Sequence, residues 1–149
     1  RTALRKFYHM ASGELDLSTL TEKSADDDML TSLTDPEKMG DWLTSNDLDF
    51  YVNEFTHSGF AGPLNYYRNH NLTWELCANK PTEIHQPALF VAGERDGVIA
   101  MTKPALENMP HFVKDLRTNV LIPKIGHWTQ QEAPEAVNGH LLDWLAGLS

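Results

Sequence analysis

Two apolar runs late in the chain constrain its fold more than any other feature. Residues 88–92 read Ala-Leu-Phe-Val-Ala and end at Gly93, and residues 119–123 read Asn-Val-Leu-Ile-Pro. Continuous apolar runs of this length, ended by glycine or proline, are typical of short strands that are buried on both faces. A helix-forming segment near residues 103–109 separates them, and the order strand, helix, strand predicts parallel pairing through a crossover. We therefore expect an α/β arrangement for residues 86–149.

The first 85 residues have a different pattern, which favours helices. Residues 1–10 and residues 45–58 both carry apolar side chains at the spacing of one helix face. In the second segment we expect Asn46 to cap the helix and Asp49 to complete a capping box. A glycine–proline pair then predicts the start of a third helix, over residues 62–74. The two halves of the chain therefore belong to different structural classes.

Two stretches between these elements are less regular. Residues 14–40 show no helical or strand period, and a connection of this length is often a lid element. We expect a short helix near residues 36–42, and we interpret the carboxylates of residues 26–28 as a solvated surface run rather than a metal site. Pro81 and Pro87 bracket a polar linker, which places a boundary between residues 1–85 and residues 86–149.

The bulk composition excludes several classes of function. With 149 residues, 41% hydrophobic and 22% charged, the chain has the balance of a globular protein. A formal net charge of -9 argues against a nucleic-acid binder, which needs a basic face. One cysteine, Cys77, excludes an internal disulfide. No apolar run approaches the roughly 20 residues of a membrane helix, so we predict a cytoplasmic location. The chain begins with arginine, and we expect it to be part of a longer polypeptide.

The chemistry predicted from the residues centres on Asp96 and His127. Asp96 follows the first apolar run, and His127 lies beside Gly126 after the second. Because parallel strands bring their carboxyl ends to one edge of the sheet, Asp96 can accept a hydrogen bond from one ring nitrogen of His127. That bond fixes the tautomer and stabilises the imidazolium when the other nitrogen takes a proton. Glu94 is the alternative acid, because it lies closer to the end of the first apolar run, but we expect Asp96 to be the partner of His127.

Several segments together resemble the soluble epoxide hydrolases of the α/β-hydrolase fold. In that fold the acid also precedes the histidine in the chain. The resemblance covers nearly the whole chain, and its most diagnostic stretch is Leu-Asn-Tyr-Tyr-Arg-Asn at residues 64–69. It implies that residues 1–85 are the last part of a helical cap and that residues 86–149 are the C-terminal part of the core. The segments that carry it are Ser58–Asn69, Val91–Asp96, Gly126–Gln130 and Glu132–Glu135.

The resemblance also implies a mechanism. In that family an aspartate opens the epoxide and forms a covalent ester, two cap tyrosines donate to the epoxide oxygen, and a histidine–aspartate pair activates the water that releases a vicinal diol. By position in the motifs, the tyrosine is Tyr67, the base is His127 and its orienting acid is Asp96. Tyr66 is expected to pack, because neighbouring helix positions point about 100° apart. No metal or organic cofactor is implied.

The resemblance places the nucleophilic aspartate, an oxyanion loop and the other cap tyrosine upstream of Arg1. The expected partners are therefore a small-molecule epoxide and the N-terminal half of the same protein, with a second copy of the chain as a further candidate. Because two strands cannot bury their own faces and edges, we expect this polypeptide alone to be neither stably folded nor active.

Two other functions stay open. A haloalkane or haloacid dehalogenase of the same fold shares the aspartate and histidine but needs no tyrosine donor, because halide leaves without protonation. A non-catalytic α/β-hydrolase-like binding module needs neither. A serine esterase is disfavoured, because the chain contains no Gly-x-Ser-x-Gly elbow. We expect Trp74 and Trp144 to be core or interface anchors and Trp128 to pack beside His127. Tyr8 and Tyr51 are expected to pack, and Cys77 is expected to be a small buried side chain.

Overall fold

The computed structural model describes residues 1–16, 26, 28 and 30–148. Within that part of the chain, helices dominate the first half, and two strands alternate with helices in the second half. The elements are α1 (Thr2–Met10), α2 (Ser45–Ser58), α3 (Ala61–Arg68), α4 (His70–Cys77), β1 (Ile84–Gly93), α5 (Gly97–Met101), α6 (Lys103–Phe112), β2 (Val113–Ile122), α7 (Thr129–Glu132) and α8 (Pro134–Ala146).

The two strands pair in parallel, as predicted, and α5 and α6 form the crossover between them. Both strands are ten residues long, about twice the predicted length. Pro87 therefore lies inside β1 rather than in a linker, and the register is irregular there because proline offers no N–H to the ladder. Residues 88–92 are half-buried, not buried on both faces, because β1 pairs only with β2 in the described part of the chain.

A small helical core joins the first helix to the second. Leu4 and Tyr8 of α1 pack with Leu43 and with Leu48 of α2, and all four side chains are buried. Burial raises the pKa of Tyr8 to about 12, with the neighbouring Tyr51 adding to the effect. The predicted packing roles of Tyr8 and Tyr51 are thus confirmed. Further side chains against this core are Met39, Trp42, Val52, Phe55 and Trp128.

The segment before α2 departs from expectation. Residues 36–42 form turns instead of a short helix. Contacts with α1 hold this segment in its non-helical conformation. The guanidinium of Arg5 donates to the carbonyl of Pro36 and pairs with Asp35 at 3.0 Å. Asp27, the middle residue of the acidic run, lies outside the described residues. Over the ranges the structure covers, no group of three or more histidine, cysteine or acidic side chains could hold a metal ion.

The cap of α2 lies earlier in the chain than predicted. Thr44, not Asn46, caps the helix, and Asp47 completes the capping box. The hydroxyl of Thr44 accepts the N–H of Asp47 at 3.2 Å, and the carboxylate of Asp47 accepts the N–H of Thr44 at 3.0 Å. Asp49 is instead paired with Arg1. The helix ends as predicted, at Gly59 with a φ of 65°.

Asp47→Asn in the complete protein is expected to lower the thermal midpoint by about 2–4 °C at pH 7. Hydrogen bonds from the hydroxyl and N–H of Thr44 hold the pKa of Asp47 below its ordinary value of 3.8. A carboxyl group whose pKa is lower in the folded state stabilises the protein at any pH above its pKa in the unfolded state. This contribution is lost as the pH falls through its pKa in the folded state. The variant and the wild type should therefore converge in thermal unfolding only below the folded pKa of Asp47, which itself lies below 3.8. A difference that persists there contradicts the capping role.

The predicted third helix is two helices. Asn69 breaks it with φ −90° and ψ 7°, and its N–H donates to the carbonyls of Asn65 and Tyr67. Every residue of α3 and α4 is exposed. In the described structure Tyr66 is 77% exposed and Cys77 is exposed, so the predictions that Tyr66 packs and that Cys77 is buried are wrong there. Trp74 is 80% exposed and so is no core anchor among the described residues, and its role as an interface anchor stays a prediction. Trp144 of α8 is half-buried.

No helix in the described ranges is long and apolar enough to cross a bilayer.

Candidate active site

Asp96 is held at the end of β1 by contacts to both of its carboxylate oxygens. It caps α5, because Oδ1 accepts the N–H of Val98 at 2.8 Å. Its other oxygen, Oδ2, lies 2.9 Å from Nδ1 of His127. The residue is only 7% exposed. The helix cap thus fixes the orientation in which the carboxylate meets the imidazole.

The contact assigns the tautomer of His127. An ionised carboxylate only accepts hydrogen bonds, so Nδ1 carries the proton and donates to Asp96. Nε2 then keeps its lone pair and can take a proton from water. The His127 side chain is 46% exposed. The pair has the orientation that a general base requires.

Glu94, the alternative acid, is directed elsewhere. Its side chain is exposed, and its Oε2 accepts the N–H of Lys124 at 3.3 Å. Lys124 itself has a positive φ of 66°, so the turn after β2 is tight. Asp96 is thus the acid that contacts His127. Glu94 instead binds the backbone of the turn between β2 and His127.

Trp128 lies beside His127, as predicted, with ring centroids 5.3 Å apart and planes at 79°. Its other face packs on Tyr8, with centroids 4.6 Å apart. Its indole N–H also donates to the carbonyl of Tyr8 at 2.9 Å. Through this side chain, the helical core of the first half of the chain supports the histidine loop of the second.

Backbone segments approach very closely beneath the site, at three glycines. A Cβ added to Gly126 would lie closer than 3.0 Å to backbone atoms of residues 11–13. One added to Gly93 would meet the carbonyls of Ile125 and Gly126 at similarly short distances. Gly13 faces the same turn. The sequence alone did not indicate which segments approach one another here.

Thr129 and Glu132 were given no role from the sequence alone. Thr129 is buried, and its hydroxyl accepts the N–H of Gly93 at 3.1 Å and donates to the carbonyl of Gly126 at 3.0 Å. It therefore ties the end of β1 to the loop that carries His127. Both residues lie within five positions of the histidine, which is the one signal that could have suggested them.

Tyr67 lies on α3 and is 65% exposed. Its ring contacts are with Tyr66 and His70, each at 5.9 Å between centroids. The structure thus brings Asp96 and His127 together, whereas the described contacts of Tyr67 are with its neighbours on α3 and α4.

Comparison with known proteins identifies the relatives of this chain, although no family model matches it. It is 42% identical to epoxide hydrolase B of Mycobacterium tuberculosis over 76% of this chain and 32% of that protein. It is 37% identical to epoxide hydrolase A of the same organism, over 82% of this chain and 38% of that one. A solved epoxide hydrolase from an endophytic Streptomyces superposes with a TM-score of 0.90 at 34% identity, over 99% of this chain and 46% of that chain.

The parallel strands and the acid–histidine pair at their carboxyl ends, together with this superposition, define an α/β-hydrolase fold. The predicted fold class is confirmed. Within that fold, the chain belongs to the epoxide hydrolase family. It spans about a third of the length of the curated relatives it matches.

Proposed function

We propose that this chain is the C-terminal part of an enzyme that adds water to an epoxide and releases a vicinal diol. The observation that carries the proposal is the 2.9 Å contact between Nδ1 of His127 and Oδ2 of Asp96 at the ends of two parallel strands. Relatives named epoxide hydrolase, at 37–42% identity, support the choice of substrate class. In this proposal His127 is the general base and Asp96 orients it.

The first step opens the epoxide. A carboxylate oxygen of an aspartate in the N-terminal half attacks one ring carbon, and the bond from that carbon to the epoxide oxygen breaks. The electron pair moves to the oxygen, which becomes an alkoxide and takes a proton from the hydroxyl of Tyr67. A donor aimed at the developing charge lowers the barrier, because the charge is stabilised as it forms. The exposed position of Tyr67 on α3 leaves its hydroxyl available to a substrate.

The second step hydrolyses the covalent ester. Nε2 of His127 takes a proton from water as the water oxygen bonds to the ester carbonyl carbon, and Asp96 stabilises the imidazolium. When the tetrahedral intermediate collapses, the bond to the diol oxygen breaks and His127 returns its proton to that oxygen. The acid left on the nucleophilic aspartate ionises, and its proton restores the tyrosine. The proposed reaction uses carboxylate, phenol, imidazole and water, without a metal or organic cofactor.

We assign the helical part of the chain before β1 to the cap, and the part that begins with β1 at Ile84 to the core of the complete enzyme. The boundary predicted between residues 85 and 86 lies two residues inside that strand. The N-terminal half is then the partner that covers the exposed apolar faces, because isolated chains rarely leave so many large apolar side chains in water. On α3 and α4 these are Leu64, Tyr66, Tyr67, Leu72, Trp74 and Leu76. A homo-oligomeric state and a cytoplasmic location stay predictions.

Tyr67→Phe in the complete protein tests this function against dehalogenation. Loss of one donor to a developing oxyanion typically costs about 10²–10³-fold, so diol formation should fall by that factor. Tyr66→Phe is the matched control and should keep wild-type turnover, since it removes the same hydroxyl one residue away. Diol formation and halide release are both measured, on an epoxide and on a haloalkane.

Unchanged diol formation by Tyr67→Phe removes Tyr67 from the mechanism. A wild-type protein that releases halide but opens no epoxide, with Tyr67→Phe equally active, establishes a dehalogenase instead. A protein with neither activity fits the binding module.

A further inference from the structure

The backbone of the His127 loop is fastened on both sides of the histidine by one side chain. The N–H of Gly126 donates to Oε2 of Glu132 at 3.0 Å, and the N–H of Trp128 donates to Oε1 at 3.1 Å. The N–H of His127 itself donates to the carbonyl of Ala11 at 2.8 Å. All three successive N–H groups therefore have acceptors.

The same carboxylate also holds the segment to which His127 is bound. Its Oε2 accepts the N–H of Gly13, 119 residues earlier in the chain, at 2.9 Å. The carbonyl of Gly13 in turn accepts a hydrogen bond from the guanidinium of Arg95 at 2.8 Å. Glu132 thus receives three backbone hydrogen bonds and joins the loop after α1 to the loop before α7. Hydrogen bonds to an ionised acceptor are roughly twice as strong as neutral ones.

We propose that Glu132 is a positioning residue for His127, an inference that rests on the proposed function. The one-turn helix α7 directs its carboxylate back to the loop that carries the base. A base must lie within hydrogen-bond reach of its water, and a displacement of about 1 Å can cost about 10²-fold in rate. Glu132 acts through the backbone on either side of His127 and need not touch the substrate.

The proposal predicts which step is impaired. Epoxide opening uses the nucleophile and Tyr67, whereas ester hydrolysis uses His127. A variant with a misplaced His127 should therefore form the ester at the wild-type rate and hydrolyse it slowly. Because kcat/KM reports the steps up to irreversible ester formation, it should stay near the wild-type value while kcat and KM fall together. A general loss of folded protein would lower kcat, leave KM unchanged and trap no more ester than the wild type.

Glu132→Gln in the complete protein is the test. Glutamine has one acceptor oxygen and an NH₂ group that would face one of the three N–H donors. We expect kcat and KM to fall together by about 10- to 100-fold, with the ester visible by intact mass after acid quench. Glu135→Gln, the same change at an exposed site three residues away, should behave as wild type. Glu132→Asp keeps the charge and should recover part of the loss.

Three outcomes overturn the proposal while leaving the function intact: Glu132→Gln matches Glu135→Gln, it loses kcat at constant KM, or it traps no more ester than the wild type. If Glu132→Gln does not fold, the same readouts on Glu132→Asp decide in the same way. A wild-type protein that forms no ester overturns the proposed function and this inference with it.

Discussion

His127→Gln in the complete protein is expected to lower diol formation by about 10²–10⁴-fold, which is the usual contribution of a general base. Glutamine retains a polar side chain of similar reach, but it cannot take a proton from water near neutral pH. Epoxide opening does not use the base, so the first turnover should proceed and stop at the ester. A single-turnover experiment should therefore show one equivalent of substrate bound covalently, with little diol released.

The matched control for this variant is His57→Gln. His57 lies near the end of α2, is exposed, and its ring nitrogen contacts the carbonyl of Asn53 in the same helix at 2.8 Å. Its substitution should leave diol formation unchanged. Intact mass under denaturing conditions distinguishes trapped ester from simple inactivity. Full activity of His127→Gln would falsify the assignment of the base and favour a function that does not use the Asp96–His127 pair.

The Asp96–His127 contact could be predicted because it follows from topology. Parallel strands end at the same edge, and both side chains lie within five residues of a strand end. Strand alternation could not select the acid, because residues two positions apart on a strand face the same way. The contacts of the two carboxylates decide between Glu94 and Asp96. To predict this contact, only the ends of the two strands and their parallel pairing had to be recognised.

Errors in the sequence predictions have local and long-range causes. The cap of α2 was misplaced by two residues because Thr44 and Asn46 are both suitable caps, and the choice depends on which helix start gives the better packing. The break at Asn69 divides an otherwise helical pattern, and the exposure of Trp74 depends on surfaces that local periodicity does not describe.

The support of the site was beyond sequence reasoning for a different reason. Glu132 binds Gly13 across 119 residues, and Trp128 binds Tyr8 across 120. Neither pair has a spacing rule, because the contact exists only after the helical segment has docked on the strand ends. The residues that carry the chemistry could therefore be recognised from sequence, whereas the contacts that position them required coordinates.

Gly126→Ala is expected to destabilise the complete protein by about 1–3 kcal/mol or more, since overpacking a filled site has that cost. The added Cβ would lie closer than 3.0 Å to the nitrogen of Gly13, the carbonyl carbon of Ser12 and the carbonyl oxygen of Ala11. These are backbone atoms, so no rotamer change relieves the overlap. The loop after α1 must move away, and the hydrogen bond from His127 N–H to Ala11 should lengthen.

Gly139→Ala is the control for that substitution. Gly139 lies within α8, and an added Cβ there has no neighbour within 4 Å among the described residues. Alanine in a helix interior is favoured over glycine by about 0.5–1 kcal/mol, so this variant should be slightly more stable than wild type. Denaturant unfolding of the two variants compares one methyl group in two environments. Equal stabilities would contradict the close packing of residues 11–13 on the histidine loop. A lower stability of Gly126→Ala, together with a fall in kcat in the folded fraction, would tie that packing to the position of the base.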